Sequence, residues 1–225
     1  MRKFAVIGLG RFGARLSANL AAAGQEVIAI DQDTQIVEKL RDRVTLAVAL
    51  DCTDEQALQS QGVDQVDAAV VCIGDDFETN VLATRILKDI GVKRVISRAV
   101  TPTMGRVLTR VGADELVNPE DESADRWATR LVSPQVLNQF ELASGHSVVE
   151  IGTPKAWVGK TLTDLRLRSE MAVHVVAIRR VEENGRGPVI ETLQLPMPDE
   201  PLRAQDGMIL LGRDADLARL PQDER

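Results

Sequence analysis

What most limits how this chain can fold is a cadence in its first 118 residues: short apolar runs rich in Val and Ile alternate with stretches of helical spacing. The runs are KFAVIG (3–8), EVIAID (26–31), VTLAVA (44–49), AAVVCIG (68–74), RVISRA (94–99) and ELVNP (115–119). Helical patterns fall between them, at 11–23, 34–42, 54–61, 77–90 and 102–111. A run that stays apolar, rather than alternating, suits a strand covered on both faces. Strands joined through helices must lie parallel with right-handed crossovers, so the pattern predicts an α/β fold with a six-stranded, doubly wound parallel sheet. Gly24 and Gly91 directly follow two of the helical patterns, where a left-handed cap needs glycine.

The cadence then stops. Residues 120–140 read as a helix broken near Ser133-Pro134, with acidic residues in its first turn where the helix dipole favours them. Beyond Glu141 come short strands, HSVVEIG (146–152), AVHVVAIRR (172–180), GPVIETL (187–193) and DGMILLG (206–212), between loops rich in Pro and Gly. EENGRG (182–187) reads as a hairpin turn. A second, smaller α+β domain follows from this change. The expected division is a first domain over 1–135, a connector at 136–140 and a second domain over 141–220.

The totals remove several classes of function. The net charge of −7 leaves no basic footprint for nucleic acid. No apolar run approaches the ~18 residues of a membrane helix, and the first strand already carries glycine-loop chemistry rather than a secretory signal. Cys52 and Cys72 stand apart with neither CxxC spacing nor a disulfide framework, which favours a reducing cytoplasm.

The loop after the first strand is Gly8-x-Gly10-x-x-Gly13, in the sequence FAVIGLGRFG (4–13). It follows a strand and opens a helix, and Asp31 ends the next strand. In such a loop Gly8 permits the tight turn, Gly10 lets a phosphate approach the backbone, and Gly13 lets helix and strand pack closely. The phosphate then sits at the helix N-terminus, against unpaired N–H groups that include that of Phe12. The Asp31 carboxylate suits ribose hydroxyls and repels a 2′-phosphate, which argues for an adenosine-type ligand other than NADP; Gln32 and Asp33 extend that rim. Asp51 and Cys52 follow the third strand, Ile73, Gly74 and Asp75 the fourth, and Arg98 ends the fifth. All therefore belong to the carboxyl edge where ligands of such sheets bind. Arg11, inside the glycine loop, and Arg98 offer planar forks to one phosphate from two sides. The alternative for either is a surface or ion-pairing arginine.

Catalytic groups are missing from this constellation. The two histidines, His146 and His174, fall in the second domain, and there is no Tyr. Hydride transfer ordinarily needs an acid or base beside the nicotinamide, and Lys88, Lys93 and Lys160 have no recognisable catalytic setting. GTPKAWVGKT (152–161) imitates a phosphate loop, but Gly152 stands two residues too early; Thr161 reads instead as an N-cap. Trp127 and Trp157 read as packing residues.

FAVIGLGRFG, EVIAID, DCTDE and AVVCIGDDFETN together resemble the RCK (regulator of potassium conductance) proteins, most closely the Ktr-type cytosolic gating subunits of bacterial potassium uptake systems. VGKTLTDLRLRSEMAVHVVAIRR and QDGMILLG resemble the second domain of that family, so the likeness covers nearly the whole chain. It implies a Rossmann-like RCK-N domain followed by an RCK-C domain, dimers assembled into an octameric ring, and a membrane potassium channel subunit as partner. It also implies a place at the cytoplasmic face of the membrane, reached through that partner. The ligand it implies is ATP or ADP, with NAD or NADH the Trk-type alternative, and a small NAD-dependent oxidoreductase as the more distant reading. Arg11 matches an arginine that reaches a neighbour's γ-phosphate. Arg98 falls where the family has a basic residue, typically Lys, and Glu120 matches a carboxylate that holds a divalent cation (Mg²⁺ or Ca²⁺). Glu120 serving only its helix N-terminus is the alternative. In some relatives the RCK-C interface binds cyclic di-AMP; the stretch around Val175, Ala177 and Ile178 suits such a pocket or an ordinary dimer core.

Overall fold

Each of the six apolar runs is a strand, and the computed structural model, which describes residues 1–132, 136–182 and 190–221, arranges them as expected. The first part runs β1 (Lys3–Ile7), α1 (Arg11–Ala22), β2 (Glu26–Asp31), α2 (Thr34–Glu38), β3 (Leu46–Ala49) and α3 (Glu55–Ser60). It continues through β4 (Ala68–Val71), α4 (Phe77–Asp89), β5 (Val95–Arg98), α5 (Pro102–Val111) and β6 (Glu115–Val117). All neighbouring pairs are parallel, in the order β3-β2-β1-β4-β5-β6. The order reverses between β1 and β4. A crevice opens there, outside the carboxyl ends of the strands.

Strand periodicity accounts for the two-sided core. Ala5, Ile7, Ile28, Ile30, Ala69 and Val71 pack with Leu58, Leu87 and Val95 on one face. The intervening Val6, Val27, Ala29, Val70 and Cys72 pack on the other. Burying each Val or Ile contributes about 1.5–3 kcal/mol, so both faces commit the runs to the sheet interior. Gly24 and Gly91 have φ of +75° and +93°, the left-handed caps their positions predict.

The chain forms two compact units, Met1–Asp121 and Glu122–Arg225. Helix α6 (Pro119–Val132) is followed by β7 (Val136–Ala143), β8 (His146–Gly152), α7 (Leu162–Leu165), α8 (Leu167–Met171), β9 (His174–Glu182), β10 (Ile190–Gln194), β11 (Gly207–Arg213) and α9 (Asp214–Leu217). The antiparallel order is β10-β9-β11-β8-β7. Its core gathers Val149, Ile151, Trp157, Leu167, Ile178, Met208 and Leu210. Arg180, almost wholly buried, is paired with Asp206 and, at 2.6 Å, with Glu200.

Several local expectations change. Residues 136–140, expected as connector or helix, lie in β7, because VLNQFELA covers the edge of β8 that β11 leaves open. The break at Ser133-Pro134 falls outside the described residues, as does the EENGRG turn beyond Glu182. Trp157 is core, but Trp127 is 58% exposed and not buried as a packing residue would be. Thr161 is the N-cap of α7 and forms a reciprocal capping box with Asp164, in keeping with its reading as a cap rather than part of a phosphate loop.

Candidate functional site

The glycine loop is shaped by three different constraints. Gly8 adopts φ +87°, and its amide donates to the Ile30 carbonyl at 2.8 Å. A Cβ there would meet Ile73 Cγ1 at 2.9 Å. A Cβ on Gly13 would collide with the Gly8 carbonyl oxygen, so α1 rests directly on the loop that precedes it. Gly10 differs: a Cβ there would meet nothing within 4 Å. It faces open space.

Helix α1 begins with no side-chain cap and no acidic residue in its first turn. The Ala14 amide donates to Gly10, whereas the amides of Arg11, Phe12 and Gly13 have no partner among the described residues. Unpaired N–H groups and the positive end of a helix dipole make an anion site. Beside it lies a cleft of about 380 Å³ at the switch point, lined by Gly8, Gly10, Asp31, Gln32, Asp51, Cys52, Ile73, Gly74, Asp75 and Arg98 among others. The structure thus brings ten of the fifteen sequence candidates into one cavity.

The remaining five are placed otherwise. Arg11 is exposed and Phe12 half-buried against the core, and neither lines the cleft of its own chain. The Arg11 side chain has no hydrogen bond or ion pair among the described residues. Asp33 caps α2, accepting from the Gln35 amide at 2.8 Å. Gly13 lies beneath the loop. Glu120 is paired with Arg98, whose Nη2 donates to Glu120 Oε1 at 2.7 Å.

Asp31 has a structural part to play within the chain. Its Oδ2 accepts from the Leu9 amide at 2.6 Å and its Oδ1 from the Asp33 amide at 2.9 Å, tying the loops after β1 and β2 together. Asp51 accepts from the Thr53 amide and hydroxyl at 2.9 and 2.7 Å, and these bonds hold its carboxyl below the ordinary value. Burial, with Asp51 nearby, pushes the Cys52 thiol up to about 11; burial pushes Cys72 up to about 12. Both thiols are therefore neutral at pH 7 and poor nucleophiles.

A buried network that sequence reasoning missed fixes the far wall. Asn80, fully buried on α4, donates to the Ile73 carbonyl at 2.6 Å and the Arg98 carbonyl at 3.0 Å. Thr84 donates to Asn80 Oδ1 at 3.3 Å and lies 2.7 Å from the Ser97 hydroxyl. One side chain thereby sets the ends of β4 and β5, and with them Gly74 and Arg98. The available signal was an amide at an inward helical position one turn after the N-cap, in DDFETN; Asp76 caps α4 by accepting from the Thr79 amide at 3.1 Å.

Among the described residues, no group of three or more His, Cys, Asp or Glu side chains is arranged to hold a metal ion. Glu120 is one carboxylate, engaged by Arg98, and Asp121 is turned to Asn118. The described residues of one chain thus gather no donor set for a divalent cation around Glu120. In the second unit, Ile178 belongs to the core and Ala177 is buried, while the half-buried Val175 lines a shallow hollow with Arg166, Arg168 and His174.

Comparison with known proteins agrees with this fold. The family model described as the TrkA-N domain matches residues 4–119, and that of the TrkA-C domain residues 147–221. The Ktr system potassium uptake protein C of Bacillus subtilis (strain 168) is 36% identical over 218 residues, 97% of this chain and 95% of that protein. Among solved structures, the GsuK channel bound to NAD is 26% identical with a TM-score of 0.55, covering 97% of this chain. GsuK bound to ADP is 27% identical with a TM-score of 0.50 over 58% of this chain. This chain spans 37% and 34% of those two longer chains.

Proposed function

The chain belongs to the family of proteins built from a TrkA-N and a TrkA-C domain, and on that premise we propose that it is the nucleotide-sensing regulatory subunit of a bacterial potassium uptake system. The observation that carries the nucleotide part is the uncapped start of α1 beside the open face of Gly10, at the mouth of a cleft bordered by Asp31. Phosphate would take the free amides and ribose the Asp31 carboxylate. The potassium system comes from the Bacillus relative, whose name carries it. The partner is a membrane potassium channel subunit. The chain's place is in the cytoplasm against that partner. No helix among the described residues is long and apolar enough to cross a membrane.

The finer reading is a switch between ATP and ADP. Arg11 stands exposed outside its own cleft, its side chain without an ion pair among the described residues, which suits a fork that reaches the ligand of a second copy in a dimer and, through dimers, an octameric ring. A ligand shifts such an assembly only by binding one shape better than another. The γ-phosphate is the charge by which ATP and ADP differ, and coupling of about 1–3 kcal/mol is typical of such switches. A divalent cation at Glu120 would need carboxylates from a second copy, and no step is assigned to it. Cyclic di-AMP in the second unit is a further ligand to test. The second reading, NAD or NADH, is favoured by the NAD-bound GsuK neighbour. Catalysis is not assigned, since neither histidine belongs to the unit that carries the cleft.

Titration of the pure protein with ATP, ADP, NADH and cyclic di-AMP tests the assignment. ATP and ADP are expected to bind in the micromolar range and Arg11→Ala to narrow the difference between them. Tight NADH binding with no response to ATP would replace the first reading by the second.

A further inference from the structure

Arg98 and Glu120 are the two site residues whose partners would be opposite in kind, an anion for one and a cation for the other. In the structure they hold each other at 2.7 Å. The two halves of the pair are unequal. Arg98 is only 20% exposed, and Gly74 lies so close to its guanidinium that any added Cβ would collide with it. The end of β5 that carries it is tied down by Asn80. Glu120 is 59% exposed at the start of α6, free to turn into water. Arg98 also keeps a buried Nε with no hydrogen-bond partner, an unmet donor in a group otherwise fixed in place. Asp75 and Asp76 line the same cleft, and Arg98 is the cation among its lining residues.

From these observations we infer that Glu120 is a built-in competitor for the anion seat at Arg98, and so a specificity-determining residue of the cleft. The carboxylate occupies the fork when no ligand is bound. A phosphate arriving at Arg98 displaces Glu120, the exposed half, and leaves the arginine where it is. Ligands lacking a phosphate at that position leave the pair intact and gain nothing from Arg98. The seat thus discriminates by charge at one point of the cleft and releases a free carboxylate at the start of α6 each time it fills. The inference rests on the nucleotide reading above and deepens it.

The test is calorimetric titration of the full chain in EDTA, so that no divalent cation can act through Glu120. Glu120→Gln is expected to bind ATP about two- to fivefold tighter than wild type, the worth of a partly exposed ion pair no longer competing. Adenosine and NADH affinities stay unchanged. Arg98→Gln weakens ATP, and adding Glu120→Gln to Arg98→Gln changes nothing further. Glu120→Ala serves as a second variant with the same expectation. Equal or weaker ATP binding by both Glu120 variants overturns the competition, as does a tightening that survives in the Arg98→Gln background. Nucleotide binding by wild type without these shifts refutes this inference alone, whereas no nucleotide binding by any variant refutes the reading beneath it as well.

Discussion

Replacing Asn80 by Ala removes the donor for two half-buried carbonyls, those of Ile73 and Arg98, and the acceptor for Thr84. A buried polar group left without a partner costs about 1–3 kcal/mol. Two carbonyls, with part of the loss relieved by water entering the vacated volume, give a destabilisation of about 2–4 kcal/mol. For a unit the size of Met1–Asp121 that corresponds to a melting temperature lower by about 8–16 °C. Urea unfolding followed by circular dichroism reads the change as a lower midpoint at unchanged slope. Thr84→Val is the control: it loses only the hydroxyl's bonds to Asn80 and Ser97 and is expected to cost about 1 kcal/mol. Asn80 also positions Arg98, so the variant's remaining folded protein should bind ATP more weakly while Thr84→Val binds it normally. A midpoint shift worth less than about 0.5 kcal/mol, or ATP affinity equal to wild type, refutes the view that this amide sets the wall of the cleft.

Gly10→Ala and Gly13→Ala should separate binding from folding. The first places a methyl in open space and leaves stability within about 1 kcal/mol, yet lowers nucleotide affinity by about an order of magnitude where the backbone must be approached closely. The second drives a Cβ into the Gly8 carbonyl and is expected to cost at least ~1–3 kcal/mol as overpacking. Thermal unfolding and titration of both variants check this, and equal behaviour of the two would refute it. With thiols pushed up to about 11 and 12, Cys52 and Cys72 at pH 8 should react with iodoacetamide roughly a hundredfold more slowly in the folded protein than in urea. Because both line the cleft, nucleotide should slow them further; native rates within tenfold of the denatured ones would contradict the burial described.

The first unit was legible because its strands carry apolar runs rich in Val and Ile, and because Gly24 and Gly91 close two of its helices. The carboxyl-edge candidates followed from topology: once the strand ends are known, the residues after them must share one edge. Partnerships were less legible. Nothing in the spacing of Arg98 and Glu120 says that they meet, since the contact depends on β6 returning α6 alongside β5. Asn80 was hidden for a similar reason. Its targets are backbone carbonyls, which leave no mark in a sequence. Strand β7 was missed because it follows a helix without a glycine stop, and its edge pairing, rather than an apolar pattern, makes it a strand.

The strand order also carries a consequence for the order in which this protein is made. β1 pairs on one side with β2, its neighbour in sequence, but on the other with β4, so that Phe4 meets Ala68 and the Lys3 amide meets Asp67 only after the intervening chain has looped back. Closing that loop costs entropy before any contact offsets it, and such non-local pairing is slow. On a ribosome the glycine loop and Asp31 emerge early and can associate at once, as one open half of a crevice. The opposing wall, with Gly74, Asn80 and Arg98, does not exist until nearly a hundred residues have been synthesised. The cleft is therefore among the last features the first unit acquires, and on the proposed function a nucleotide would act as a late stabiliser of the finished sheet, not as a template for its beginning.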